Sequence, residues 1–283
     1  MALNAVLSAH NVSYRIGSDI FLEDINVELQ AGAVHALIGP NGAGKSTLLG
    51  VLAGDVDATA GELKLFGRPL NGYSMRDLAL LRAVMPQDVV MALAFTAEEV
   101  VAMGRYPHIV AKDSCKSRAD RPNDTARSLG PKLDGSDDHE TVIIRSMEAT
   151  ESHHLRDRLY PTLSGGEQAR VTMARVLAQQ TPVVFLDEPT ASLDPRHQHL
   201  VMHLARGIAR DGGTVLAVLH DMNLAATYAD DVILVSSGRI RAQGAPTDVL
   251  RPDILEDVFQ AKFHVTKHPL LPCPLVLSLP HDS

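Results

Sequence analysis

Between Ala5 and Gln30 apolar and polar positions alternate, interrupted at Gly17, Ser18 and Asp19, which predicts two antiparallel strands joined by a turn. Val34–Ile38 is a short apolar run that ends in a glycine-rich turn, and Lys45–Ala53 then takes on helical character, so strand, loop and helix follow in order. Val183–Leu186 and Thr214–Leu219 are unbroken apolar runs, as expected of parallel strands buried on both faces between helices. Thr96 with Glu99 makes a capping box, and Asp194 followed by Pro195 suits an N-cap and first helical position, with Gly212 and Gly213 ending that helix. The pattern predicts a doubly wound α/β core with an antiparallel β-subdomain at its N-terminal edge.

Residues 111–140 depart from this pattern. They hold no Ile, Val, Phe, Met, Tyr or Trp, but many charged side chains, Pro122, Pro131 and two glycines, which predicts a solvated, mobile surface insertion. The whole chain of 283 residues is 45% hydrophobic, enough for a large core. Its net charge of −8 provides no general basic field, and nucleic acid is not an expected partner. Cys115 and Cys273 lack the spacing of a zinc site or a disulfide framework and are expected to be reduced thiols. Met1–His10 has no basic segment leading into an apolar stretch, and no later run is long enough to cross a bilayer, so neither export nor membrane spanning is expected.

Gly39-Pro40-Asn41-Gly42-Ala43-Gly44-Lys45-Ser46 fits the full P-loop pattern in the strand-to-helix setting that gives the pattern meaning. Glycines let successive N–H groups face phosphate oxygens, and the helix presents its positive end to the same charge. Lys45 is expected to bridge the β- and γ-phosphates, Ser46 to ligate Mg²⁺, and Thr47 to follow as its helical neighbour. Asp187 and Glu188 stand at the carboxyl end of an apolar strand, where ligands gather in α/β sheets. Asp187 is expected to hold Mg²⁺ through water, and Glu188 to act as general base or to polarise the attacking water. An Asn-Lys-x-Asp guanine-reading motif is missing from the sequence, so the expected nucleotide is ATP.

Leu163-Ser164-Gly165-Gly166-Glu167-Gln168 resembles the signature sequence of ABC ATPases, and that resemblance covers nearly the whole chain. Without it, Ser164 and Glu167 read as a capping box opening a helix, and both roles can hold together. The resemblance implies a P-loop NTPase core with a mostly parallel sheet, a β-subdomain and an inserted α-helical subdomain: residues 1–88 and 160–260 for the core, 89–159 for the helical part, and 261–283 as a C-terminal extension. It implies a homodimer in which Ser164, Gly165, Gly166 and Glu167 of one protomer, with Asp194, contact ATP bound to the other. It also implies that Tyr14 stacks on adenine, that Gln87 contacts Mg²⁺ and the attacking water, and that His220 is the switch histidine holding Glu188 and water against the γ-phosphate. Taken alone, Tyr14 would more often be core, Gln87 would mean little, Asp194 is equally a helix cap, and a histidine at a strand end is usually incidental.

Phe95–His108 looks like importers of iron chelates and haem, and should face a permease. Arg82–Gln87, Tyr160–Leu163 and Ala217–Ala226 resemble more narrowly the ATP-binding subunits of hemin importers, with ferric-siderophore or cobalamin importers as the alternative cargo class. Partners implied are a transmembrane permease dimer and, indirectly, a periplasmic or lipoprotein substrate-binding protein, placing the chain peripherally at the cytoplasmic face of the membrane. Non-transport ABC proteins are the remaining rival, set back by the single P-loop and the lack of sustained heptads. The polar insertion and Ala169, where that family commonly has a polar residue, depart from the pattern. His197, His199 and His203, and likewise His153 and His154, are expected on solvated faces rather than at a metal.

Overall fold

The computed structural model describes residues 5–87, 93–114 and 138–280. The chain forms two compact units, Met1–Gly72 with Thr214–Ser283, and Tyr73–Gly213. Within the first, Ala5–Ile16 and Asp19–Gln30 pair antiparallel with Ile16 opposite Asp19, so the turn falls at Gly17 and Ser18 as the sequence predicts. Ala60–Leu65 and Arg68–Pro69 extend this sheet antiparallel on its other side. Its inner face is built from alternate residues such as Leu7, Leu22, Ile25 and Leu29, each at or near zero exposure.

Val34–Ile38 lies parallel to Thr214–Val218 on one side and to Asp231–Ser236 on the other, and Arg239–Gly244 adds an antiparallel edge. All five residues of Val34–Ile38 and of Thr214–Val218 are buried, which explains why these runs carry no polar alternation. His35 sits in this core at 1% exposure; its Nε2 accepts the Gln30 N–H at 2.9 Å and its Nδ1 lies 3.0 Å from Asp231 Oδ2, so both ring nitrogens have partners. The chain after Gly244 continues into the helices Pro246–Val249 and Pro252–Phe259 and a hairpin of Phe263–Lys267 and Pro274–Ser278.

In the second unit Arg82–Met85 runs parallel to Val183–Asp187, with Arg82 opposite Val183 and Met85 opposite Leu186. A separate apolar cluster joins Ala97, Val100 and Val101 to Val142 and Met147, and to Val171, Ala174 and Ala178 of the helix Gly165–Gln179. The C-terminal end of that helix is held by its neighbours. Buried Arg105 donates to Ala178 O at 2.6 Å and to Gln180 Oε1 at 2.7 Å, and His108 Nε2 lies 2.7 Å from Gln179 O.

The helix Tyr106–Ser114 takes in the first four residues of the 111–140 stretch, and His139–Ala149 takes in its last two. Residues 115–137, with Cys115, lie outside the described residues, as does Asp88. Among the described residues no helix is long and apolar enough to cross a membrane.

Candidate active site

The first unit carries the P-loop. Gly39 follows the buried strand, and a Cβ there would sit 2.1 Å from Val235 O, so only glycine lets the loop pass that close to the neighbouring strand. Gly42 at φ +75° and Gly44 at φ +96° take the left-handed conformation that curls the backbone, and Ala43 N–H closes the turn on Pro40 O at 3.2 Å. The hairpin turn Ser237–Gly238 props the loop from outside, with Gly238 N–H donating to Ala43 O at 3.0 Å. Helix Lys45–Ala53 then begins with Gly44 as N-cap, without a side-chain cap and without an acidic residue in its first turn. An anion is the natural partner for such an end.

Lys45 is 6% exposed, and its Nζ donates to Gly39 O at 2.9 Å and Pro40 O at 3.0 Å, holding the ammonium on the loop. Ser46 is exposed and Thr47 half-buried beside it. A cavity of about 570 Å³ flanks the loop, lined by Pro40, Asn41, Gly42 and Ala43 together with Arg241 and Asp257. In the same unit Tyr14 is half-buried with its ring centroid 6.0 Å from that of Phe21, next to the exposed Ile16 and Ile20. His220 is exposed just beyond Thr214–Val218, and Asp221 caps the following helix Met222–Tyr228.

The second unit carries the carboxylates. Because Met85 and Leu186 are level in parallel strands, residues two further along leave the sheet side by side, and Gln87 Nε2 donates to Glu188 Oε2 at 2.9 Å. The contact spans 101 positions in sequence and appears in no local pattern. Glu188 adopts φ +50°, a left-handed conformation costing a non-glycine residue roughly 1–2 kcal/mol, and such strain gathers where a side chain must be aimed. Asp187, the last strand residue, is 8% exposed. Ser46, Gln87 and Asp187 all offer hard oxygen donors, the chemistry that suits Mg²⁺.

Ser164 opens the helix Gly165–Gln179 with a complete capping box. Its Oγ accepts from Glu167 N–H at 3.4 Å, while Glu167 Oε2 accepts from Ser164 N–H and Oγ–H, both at 2.8 Å. Those bonds from Ser164, helped by Arg158 at 3.1 Å, hold the Glu167 carboxyl below the usual range. A Cβ on Gly166 would lie 3.2 Å from Ser192 O, so the helix tip packs against the loop before Asp194. Asp194 is the N-cap of Pro195–Arg210, accepting from His197 N–H at 3.0 Å with His197 Nδ1 2.9 Å away, and these bonds lower its pKa. His197 is thus engaged by its own helix cap, and Glu151 Oε2 stands 3.8 Å from its other nitrogen, an acidic neighbour that sequence spacing could not show.

The family model described as "ABC transporter" matches residues 22–191, which takes in the P-loop, Gln87, the Ser164 helix start and Glu188. The chain belongs to the ABC transporter family. This ABC ATPase is 46% identical over 256 residues to the hemin import ATP-binding protein HmuV of Nocardia farcinica, covering 90% of this chain and 81% of that one. It is 44% identical to HmuV of Streptomyces coelicolor, covering 98% and 90%, and 39% identical to that of Aliivibrio fischeri, covering 98% and 100%. Among solved structures, a metal-chelate type ABC transporter in an inward-facing conformation superposes with TM-score 0.75 at 22% identity, covering 99% of both chains. A nucleotide-free ATP-binding cassette does so with TM-score 0.69 at 20% identity, covering 91% of this chain and 96% of that one, and both establish the P-loop NTPase fold with its mixed sheet. Tyr14, Asp194 and His220 lie outside the matched span, and their roles stand on position alone.

Proposed function

We propose that this ABC ATPase hydrolyses ATP as a homodimer at the cytoplasmic face of the membrane, driving hemin uptake through a permease dimer that a substrate-binding protein loads. The observation that carries the hydrolytic part is the Gln87–Glu188 bond at 2.9 Å, which aims a carboxylate held in a strained backbone beyond a buried strand. The cargo rests on the named function of the HmuV relatives.

Backbone N–H groups of Gly39–Gly44 and the Lys45 ammonium bind the triphosphate, and Tyr14 stacks on adenine. Ser46, Gln87 and Asp187 would hold Mg²⁺, which would supply positive charge to offset that of the phosphate oxygens. Glu188 accepts a proton from the attacking water, Gln87 orients Glu188, and His220 holds both toward the γ-phosphate. Ser164, Gly165 and Gly166 of one protomer, steadied by Glu167, offer a helix N-terminus to the nucleotide of the other, with Asp194 crossing beside it. A dimeric post-hydrolysis cassette bound to ADP and Pi, matched at TM-score 0.66 and 25% identity over 85% of this chain and 98% of that one, supports pairing of this kind. ATP drives motion only by favouring the closed pair over the open one.

The test is reconstitution with the cognate permease in liposomes, with ATPase activity measured against hemin, a ferric siderophore and cobalamin. Hemin-specific stimulation is expected. Stimulation by one of the others alone would reassign the cargo, and co-purification with ribosomes instead of a permease would move the chain out of transport.

A further inference from the structure

The first turn of the helix Met222–Tyr228, two residues beyond His220, is tied to the C-terminal hairpin through one side chain. Asn223 Nδ2 donates to Val276 O at 3.1 Å, and Asn223 Oδ1 accepts from Val276 N–H at 2.8 Å. The amide thereby does for the strand Pro274–Ser278 what a neighbouring strand would do, satisfying the N–H and the C=O of one edge residue together. Val276 is 6% exposed and Asn223 half-buried, so the pair is shielded from water and stronger than it would be on open surface. Asp221 closes the same turn from its start, its Oδ1 accepting from Asn223 N–H at 2.7 Å and Leu224 N–H at 3.3 Å. One turn further along, Thr227 Oγ1 lies 3.9 Å from Cys273 Sγ.

His220 stands between two anchors of unequal kind. On its N-terminal side Leu219 N–H donates to Leu37 O at 3.1 Å, which locks the strand end to the core. On its C-terminal side the chain is held by the Asp221 cap and the Asn223–Val276 pair. We infer that Asn223 is a positioning residue for His220, and that the hairpin Phe263–Ser278 is the strut against which Asn223 holds the turn that aims the histidine ring. The inference rests on the hydrolytic role proposed for His220 and extends it to a part of the chain outside the nucleotide-binding motifs. The chemistry demands a primary amide: aspartate offers the acceptor without the donor, and leucine keeps the volume with neither.

The experiment compares full-length wild type with Asn223→Leu, Asn223→Asp and Val276→Pro, the last removing the N–H that Asn223 accepts. Measured are ATPase kcat and KM, ATP affinity by fluorescent nucleotide binding, thermal midpoint, and the same Asn223→Leu change combined with His220→Ala. Expected is at least a fivefold fall in kcat for Asn223→Leu and Val276→Pro, a smaller fall for Asn223→Asp, ATP affinity within twofold of wild type, and no further loss when Asn223→Leu is added to His220→Ala. Wild-type kcat in Asn223→Leu would overturn the inference. So would a loss of ATP affinity as large as the loss of kcat, or losses that multiply with His220→Ala, since each is what a merely structural contact gives. If His220→Ala itself turns over ATP normally, the hydrolytic role of the histidine fails. If His220→Ala is impaired while Asn223→Leu is not, only the strut fails.

Discussion

Gly39→Ala and Gly42→Ala change neighbouring glycines of one loop by the same methyl group, and the structure predicts very different outcomes. At Gly39 the new Cβ would lie 2.1 Å from Val235 O and 3.1 Å from Val235 C, and the obstacle is backbone of a buried strand that cannot swing aside. Overpacking of this kind costs about 1–3 kcal/mol, and forcing an unfavourable backbone angle on alanine adds about 1–3 kcal/mol, so the sum is roughly 2–6 kcal/mol. At Gly42 the Cβ meets nothing within 4 Å, and the cost is the left-handed conformation alone at φ +75°, about 1–2 kcal/mol. With each kcal/mol worth about 2–4 °C in a chain of this size, Gly39→Ala should melt roughly 4–24 °C below wild type and Gly42→Ala roughly 2–8 °C below. Thermal unfolding followed with and without ATP reads both stability and the loop. At ~100 times its Kd, ATP should stabilise wild type by about 2.7 kcal/mol, whereas Gly39→Ala should show no such rise because its loop has moved. Equal midpoints for the two variants, or a full ATP-dependent rise in Gly39→Ala, would refute the packing argument.

Gln87→Ala removes the amide that holds Glu188 Oε2, and turnover should fall at least tenfold with ATP affinity little changed, as measured by steady-state kinetics beside equilibrium nucleotide binding. Glu167→Ala opens the capping box at the start of Gly165–Gln179 and should cost about 1 kcal/mol, seen as a lower denaturation midpoint. Since the folded state depresses the Glu167 pKa, its contribution is present above the usual carboxylate range and is lost as pH falls through the depressed value. The gap between wild type and Glu167→Ala should therefore shrink on acidification, and a gap that widens would contradict the assignment.

The P-loop was legible because its glycines, its lysine and its flanking apolar strand are all local, and each is required by sterics or by phosphate. The strand turn at Gly17 and Ser18 and the three capping residues Thr96, Ser164 and Asp194 were legible for the same reason: a cap acts within three residues of itself. What sequence concealed was contact through space. Gln87 meets Glu188 because two parallel strands are in register, and Asn223 meets Val276 across 53 positions because a hairpin folds back. The φ of +50° at Glu188 was equally hidden, since glutamate has no intrinsic preference for it and tertiary structure imposes it. Around residue 111 composition does not mark where the helix Tyr106–Ser114 ends, because a helix can continue into a polar stretch.

The most direct measurement is the oligomeric state and bound nucleotide of Glu188→Gln mixed with ATP and Mg²⁺, by light scattering with nucleotide quantification. With the proton acceptor gone and the phosphate cradle intact, turnover should fall at least ~100-fold and the protein should accumulate as a dimer retaining two ATP. Wild-type turnover, or a monomer carrying no ATP, would contradict the account.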